Sequence, residues 1–194
     1  MTVGTSQNTV EIKEKVVYLG KTCKVVKGGR RFKFAALVVA GDEKGRVGIG
    51  LGKHDEVMGA KEKASKEARK NMVRIPLRDG RTIHHDIVGK YGAGEVLMRS
   101  APEGTGIIAG GPARAVMELL GVRDIVVKSL RSTNPHNMLK AVINGLQSCK
   151  TPKVIADKRR IKIGDVVSQR ESNISGAANI ANNEIAAEDT AAAQ

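Results

Sequence analysis

Val16-Val17-Tyr18-Leu19-Gly20-Lys21-Thr22-Cys23-Lys24-Val25-Val26-Lys27-Gly28-Gly29-Arg30-Arg31-Phe32-Lys33-Phe34-Ala35-Ala36-Leu37-Val38-Val39-Ala40 decides the reading of this chain. Two runs rich in β-branched and apolar residues, Val16 to Val26 and about Arg31 to Ala40, meet at Lys27 to Lys33, where four cations and two glycines sit together. Strand-like runs around a short glycine-bearing connection read as a β-hairpin. Glycine at the connection lets the backbone turn and lets it approach a neighbour closely. A hairpin with so charged a tip suits a grooved polyanion, and so points to structured nucleic acid, RNA foremost.

Working outward, Phe34 to Ala40 is apolar on both parities. That pattern predicts a central strand covered on both faces, or on one face with a hairpin neighbour beside it. Gly41 to Gly45 reads as a turn and Arg46 to Leu51 as a third strand, giving a meander. A helix is expected from Glu56 to Met72 with Asp55 as N-cap. Val57, Ala60, Ala64, Ala68 and Met72 form its sheet-facing stripe, with Lys61, Lys63, Lys66, Arg69 and Lys70 mostly elsewhere. Cys23 shares strand parity with Val17, Leu19 and Val25, which predicts a buried core thiol.

The second half predicts strands over Thr82 to Lys90 and Glu95 to Ser100, joined at Tyr91-Gly92-Ala93-Gly94. Ala101 to Pro112 reads as a glycine-rich loop, followed by a helix over Ala113 to Leu120 that Gly121 stops in a left-handed C′ position. A strand over Asp124 to Leu130 leads to Asn134-Pro135, an N-cap with proline in the first turn of a helix reaching about Cys149. Met138, Val142 and Leu146 share one face of that helix. The fold class is α+β: a β-β-β-α unit over 15–78 and a β-β-α-β-α unit over 79–156. Residues 1–14 are polar and expected to be loosely ordered. Residues 157–194 begin with the basic Lys158-Arg159-Arg160, then turn rich in Ala, Asn and acid, too polar from Ser172 on to offset the entropy of ordering.

Lys and Arg number 33 against 20 Asp and Glu, a net charge of +13 with a pI near 10.0. Every Lys and Arg precedes Glu171, so the cationic excess belongs to the part expected to fold. Such an excess implies nucleic acid or an anionic membrane surface. No apolar run approaches the roughly 18 residues of a spanning helix, and residues 1–15 lack the apolar core of an export signal. The membrane reading is the poorer one. Two distant cysteines without an export signal suggest a reducing compartment, the cytoplasm, and no disulfide chemistry.

The hairpin cations Lys24, Lys27, Arg30, Arg31 and Lys33, with Gly28 and Gly29, are the first candidate RNA contacts. Arginine suits phosphates and guanine edges because its fork donates two parallel hydrogen bonds, and Phe32 or Phe34 offers a stacking surface. Lys61 and Arg69 on the helix extend the set. Gly45 to Lys53 resembles a nucleotide loop but fails as one: Val47 stands where the first glycine belongs, and His54 follows Lys53 in place of Ser or Thr. Its alternating glycines suit close approach of a helix or of a phosphate, and Lys53 near a helix start attracts phosphate. Gly104 to Pro112 lacks GxGxxG spacing and a following GK[ST]; it reads as a tight structural loop or a protein-contact surface, with a nucleotide cradle as the alternative. His84 and His85 are adjacent on a strand and point to opposite faces. No metal, no cofactor and no catalytic constellation is expected.

Lys27 to Phe34, Gly41-Asp42 with Gly45-Arg46-Val47-Gly48, Ala68-Arg69-Lys70-Asn71-Met72, Glu103 to Gly111 and Ser132-Thr133-Asn134-Pro135 occur in this order. Together they closely resemble the bacterial-type small-subunit ribosomal protein family S-five, over Val16 to Thr151. The resemblance implies a double-stranded-RNA-binding-like first unit without the leading helix. It implies a second unit shared with several small-molecule kinases, containing a left-handed crossover against the general preference for the right hand. It further implies a non-enzymatic structural constituent of the small ribosomal subunit that binds its rRNA, neighbours proteins S-four and S-eight, and helps shape the mRNA entrance and decoding accuracy. The hairpin loop would reach toward rRNA near the spectinomycin site, and the region of Gly104, Gly106, Gly110, Gly111 and Arg114 would face S-four. No family role carries over to the tail. Two readings from other classes stand beside it: a kinase-like enzyme using the Gly104–Gly111 loop, and a free double-stranded-RNA-binding module outside the ribosome.

Overall fold

The alternating and doubly apolar runs of the first half form an antiparallel meander in this computed structural model, which describes residues 11–168. β1 (Lys13–Val26), β2 (Gly29–Gly41) and β3 (Arg46–His54) lie side by side, and the two-residue β4 (Val73–Arg74) closes the far edge. β1 begins earlier than expected, so Lys13 and Glu14 are strand and not loose chain. The rest of the expected flexible start, residues 1–10, and the polar tail from 169 lie outside the described residues.

β2 is covered on both faces, as its apolar character on both parities requires: Ala35 to Ala40 are all buried. On one face Ala36 and Val38 meet Ala60 and Ala64 of helix α1 (Val57–Lys70). On the other, Leu37 and Val39 join a larger core supplied mostly by the second half. The α1 stripe is shorter than its periodicity suggests. Ala60, Ala64 and Ala68 are buried, but Val57 is exposed and Met72 lies beyond the helix, half-buried. Asp55 is not the N-cap. Glu56 holds that position without a side-chain cap, and Asp55 pairs with Lys33 at 3.4 Å across to β2.

The second sheet has the order β5-β6-β8-β7, built from β5 (Ile87–Tyr91), β6 (Gly94–Ser100), β7 (Ile107–Ile108) and β8 (Ile125–Ser129). The strand expected from Thr82 starts only at Ile87, because Thr82 closes a tight loop: its carbonyl accepts from Arg78 N–H at 2.7 Å. The glycine-rich loop is not wholly irregular, since β7 within it pairs parallel to β8. Helix α2 (Gly111–Leu120) connects these two parallel strands and ends at Gly121, whose φ of 90° is the left-handed angle the sequence calls for. Helix α3 (Pro135–Ser148) starts as expected, with the Asn134 side chain accepting from His136 N–H at 3.1 Å. Its Met138, Val142 and Leu146 are buried, and Gly145 lies against Gly89 of β5 so that a Cβ at Gly145 would sit 2.9 Å from the Gly89 Cα.

Residues up to Cys149 make one compact unit. Its two halves are joined at the last turn of α2, where Glu43 and Gly45 N–H groups of the β2–β3 turn donate to the Leu119 and Leu120 carbonyls at 2.9 and 3.1 Å. Lys13 pairs with Glu43 at 2.9 Å and Lys15 with Glu118 at 2.7 Å, securing β1 to the same place. From Lys150 the chain forms a separate unit containing helix α4 (Pro152–Arg159), capped by the Thr151 hydroxyl.

Candidate nucleic-acid interface

β3 pairs with β2 only as far as Phe34 opposite His54. Beyond it, β1 and β2 continue alone through five pairs, from Thr22 opposite Lys33 to Val26 opposite Gly29. At about 3.3 Å per residue this two-stranded ribbon stands roughly 17 Å out from the sheet. Lys27 and Gly28 form its turn. Gly29 takes a φ of 137°, which a side chain would strain, whereas a Cβ at Gly28 would meet nothing. Cys23 lies on the ribbon and is exposed, not a core thiol, because no helix covers this part of β1.

Strand alternation sorts the ribbon's side chains into two faces. One carries Thr22, Lys24, Arg31 and Lys33. The same parity continues inward to Lys53, which lies opposite Ala35 on β3. Tyr18 shares that face, its ring lying over Gly20 so that a Cβ there would come within 2.5 Å of the phenol oxygen. Tyr18, Ala35, Leu37 and Leu51 line an open groove of about 590 Å³ together with Ser132 to His136. The opposite face carries Lys21, Cys23, Val25, Arg30 and Phe32. Lys21 Nζ stands 4.0 Å from the centre of the Phe32 ring. Phe34, two residues on, leaves the ribbon and packs on the Ala36–Ala60 cluster.

The structure thus brings Lys24, Arg31, Lys33 and Lys53 together, with Lys27, Gly28 and Gly29 at the tip. Arg30 projects from the other face. Lys61 and Arg69 belong to α1, across the sheet from Lys53. Arg69 Nε donates to Glu14 on β1 at 2.7 Å. Burial pushes the Glu14 carboxyl up, but hydrogen bonds from Ser65 and Arg69 and the charges of Arg69 and Lys61 outweigh it and hold it below the usual carboxylate value. Arg69 is therefore a brace between β1 and α1 in this structure. The alternate glycines of β3 face the same helix and not a ligand: a Cβ at Gly48, Gly50 or Gly52 would overlap the carbonyl of Ala68, Ala64 or Ala60.

The Gly104–Gly111 loop is held by the protein's own bonds. Gly104 and Gly106 have φ of 89° and 73°. Gly106 N–H donates to Asp124 Oδ1 at 2.9 Å, and Arg81 Nη2 donates to Asp124 Oδ2 at 2.9 Å while Nη1 pairs with Glu103 at 3.2 Å. The Gly106 N–H, then the Arg81 guanidinium, hold the Asp124 carboxyl below its ordinary value although it is only 3% exposed. Arg114 Nη2 donates to the Ile107 carbonyl at 2.8 Å. Gly110 is the N-cap of α2 and Gly111 its first residue, both with open space where a Cβ would be. Neither Arg81 nor Asp124 stood out in sequence: the pair is far apart along the chain, and a lone acid before a strand carries no local signal. Tyr18 and Leu51 were missed as well, although their parity with Lys24 and Lys53 was readable. Among the described residues no cluster of His, Cys, Asp or Glu that would hold a metal ion occurs, and no helix is long and apolar enough to cross a membrane.

Two family models match the chain: ribosomal protein S5, N-terminal domain, over residues 12–76, and ribosomal protein S5, C-terminal domain, over residues 89–159. The chain is 53% identical over 165 residues to small ribosomal subunit protein uS5 of Maricaulis maris, covering 85% of this chain and 82% of that one. The protein of the same name from Ruegeria pomeroyi is 55% identical over 161 residues, 83% of this chain and 85% of the relative. That of Granulibacter bethesdensis is 53% identical over 168 residues, 87% and 88% of the two chains. The mixed α+β architecture with its two sheets agrees with both matched domains. This chain belongs to the ribosomal protein S5 family.

Proposed function

We propose that the chain fastens itself to small-subunit rRNA through the projecting β1–β2 ribbon and offers the Gly104–Gly111 side to protein neighbours. As a member of its family it is a structural protein of the small ribosomal subunit and not an enzyme, and it works in the cytoplasm, where bacterial ribosomes are. The observation that supports the ribbon is the gathering of Lys24, Arg31 and Lys33 on one face of a ribbon that stands free of any core, a face that Lys53 continues inward on β3. Cations so placed neutralise phosphates and release counterions, which makes binding strong at low salt. Gly28 and Gly29 keep the tip slim enough to enter a groove. Lys27 and Arg30 add charge around the tip, and Lys61 lies farther off on α1.

Elsewhere, Gly104, Gly106, Gly110, Gly111 and Arg114 make a side-chain-poor loop, held by internal hydrogen bonds, of the kind a protein neighbour packs against, with S-four as the neighbour. S-eight and mRNA at its entrance to the subunit complete the proposed surroundings. The chain is then a brace across the decoding and mRNA-entrance region, favouring translational accuracy by holding rRNA and protein in register. Co-sedimentation with small subunits through a high-salt wash tests the reading. Retention is expected; release of the chain with the wash would sink it in favour of a free RNA-binding module.

A further inference from the structure

We propose that the ribbon divides its labour between faces: the Lys24, Arg31 and Lys33 face grips phosphates, and the opposite face stacks an unpaired rRNA base on Phe32. This rests on the reading of the hairpin as an rRNA contact. The chain has two Phe, two Tyr and no Trp. Phe34 goes into the core beneath α1, whereas Phe32, on the same face, is 46% exposed on a ribbon that no other element covers. Its neighbour Val25 is 73% exposed. Neither side chain contributes to a core, and leaving such apolar area in water costs burial that a partner would supply.

The chemistry of the strip selects the partner. Lys21 already lies against the Phe32 ring at 4.0 Å, and Arg30 stands on the same face beside Val25. An apolar, aromatic strip bracketed by cations, with further cations on the reverse, complements a polyanion carrying flat apolar rings. A nucleobase has such a ring, and the phosphates flanking it meet the cations. The base must be unpaired, in a bulge or loop, because duplex RNA does not offer its base faces. Cys23, directly opposite Phe32, and Val25, one step toward the tip, extend the apolar strip across β1 and keep water from the stack.

Reconstituted small subunits containing the full chain provide the test, with hydroxyl radicals reading the rRNA backbone and dimethyl sulfate with a carbodiimide reading the bases. Phe32→Leu keeps bulk and charge and removes the aromatic ring. It is expected to leave the backbone protection near the hairpin intact while reactivity rises several-fold at one or a few unpaired bases; Phe32→Tyr restores protection there. The triple variant Lys24→Ala, Arg31→Ala, Lys33→Ala is expected to lose the backbone protection. Unchanged base reactivity in Phe32→Leu, with the triple variant still losing its protection, overturns the stacking and leaves the hairpin reading standing. No change in either variant overturns both. Loss of backbone and base protection together in Phe32→Leu overturns the division between faces. A benzophenone side chain at Val25 is expected to cross-link to rRNA, and capture of a protein neighbour there instead overturns the proposal.

Discussion

The carbonyl of Ala64 lies where the Cβ of Gly50 would be. Gly48 and Gly52 stand in the same relation to Ala68 and Ala60, so α1 rests on β3 backbone to backbone along three consecutive turns. Gly50→Val is expected to cost about 2 kcal/mol or more, because the helix must lift off the sheet. Gly111→Ala, at the open start of α2, is the control and is expected to change stability by less than about 0.5 kcal/mol. Urea denaturation of both variants checks the contrast.

The cationic face makes a quantitative demand on salt dependence. Removing Lys24, Arg31 and Lys33 together is expected to flatten the slope of log affinity against log salt by roughly 2 to 3, close to one unit per phosphate released. Arg69→Ala is expected to leave that slope alone. It breaks the pair with Glu14, a half-exposed bridge whose loss costs less than about 1 kcal/mol. Filter binding to small-subunit rRNA over a salt series separates the two variants.

Gly28 and Gly29 predict different failures. Gly28→Asp puts a carboxylate into open space, so the free protein should melt within a degree or two of the parent while its incorporation into small subunits falls. Gly29→Asp imposes a Cβ on a φ of 137° and is expected to destabilise the ribbon itself, by roughly 1 kcal/mol or more. Thermal melting beside a subunit-incorporation assay tells them apart.

Asp124 ties the glycine loop to Arg81 and sets an acid limit. Its folded-state carboxyl is held below its ordinary value, so the stability it contributes is present above that value and is lost as pH falls through the depressed one. The melting temperature of the parent is expected to fall below the usual carboxylate range, whereas Asp124→Asn starts lower at neutral pH and falls less steeply on acidification. Identical pH profiles would show that the carboxylate carries no charge-dependent anchoring.

Much of this was legible along the chain. The hairpin, the meander, Gly121 and Asn134-Pro135 all rest on local rules, turn chemistry and capping, which neighbouring residues suffice to express. Cys23 was misread because parity alone does not say how far a sheet is covered: the strand outruns its helix, and Cys23 lies on the overhang. Thr82 to Asp86 looks like strand by composition and is loop because Arg78 and Thr82 pair with each other. The glycines of β3 permitted two explanations, and only the position of α1 decided between them. Arg81 with Asp124 was invisible for the same reason, since a partner across the fold leaves no trace in spacing. At the candidate RNA face, charge was readable but grouping was not. Lys53, a candidate from the start, shares the ribbon's cationic face through register with Ala35, while Arg69 lies across the sheet, bonded to Glu14.

Helix α2 begins at the Gly110-Gly111 end of the glycine loop and ends under the β2–β3 turn. It is ten residues long, about 15 Å, and packs in the larger core together with Leu37 and Val39 of the strand that carries half of the ribbon. On the proposed function it is a strut: a protein neighbour at the glycine loop and an RNA at the ribbon would be coupled through this one short helix and the Glu43 and Gly45 bonds on its final turn.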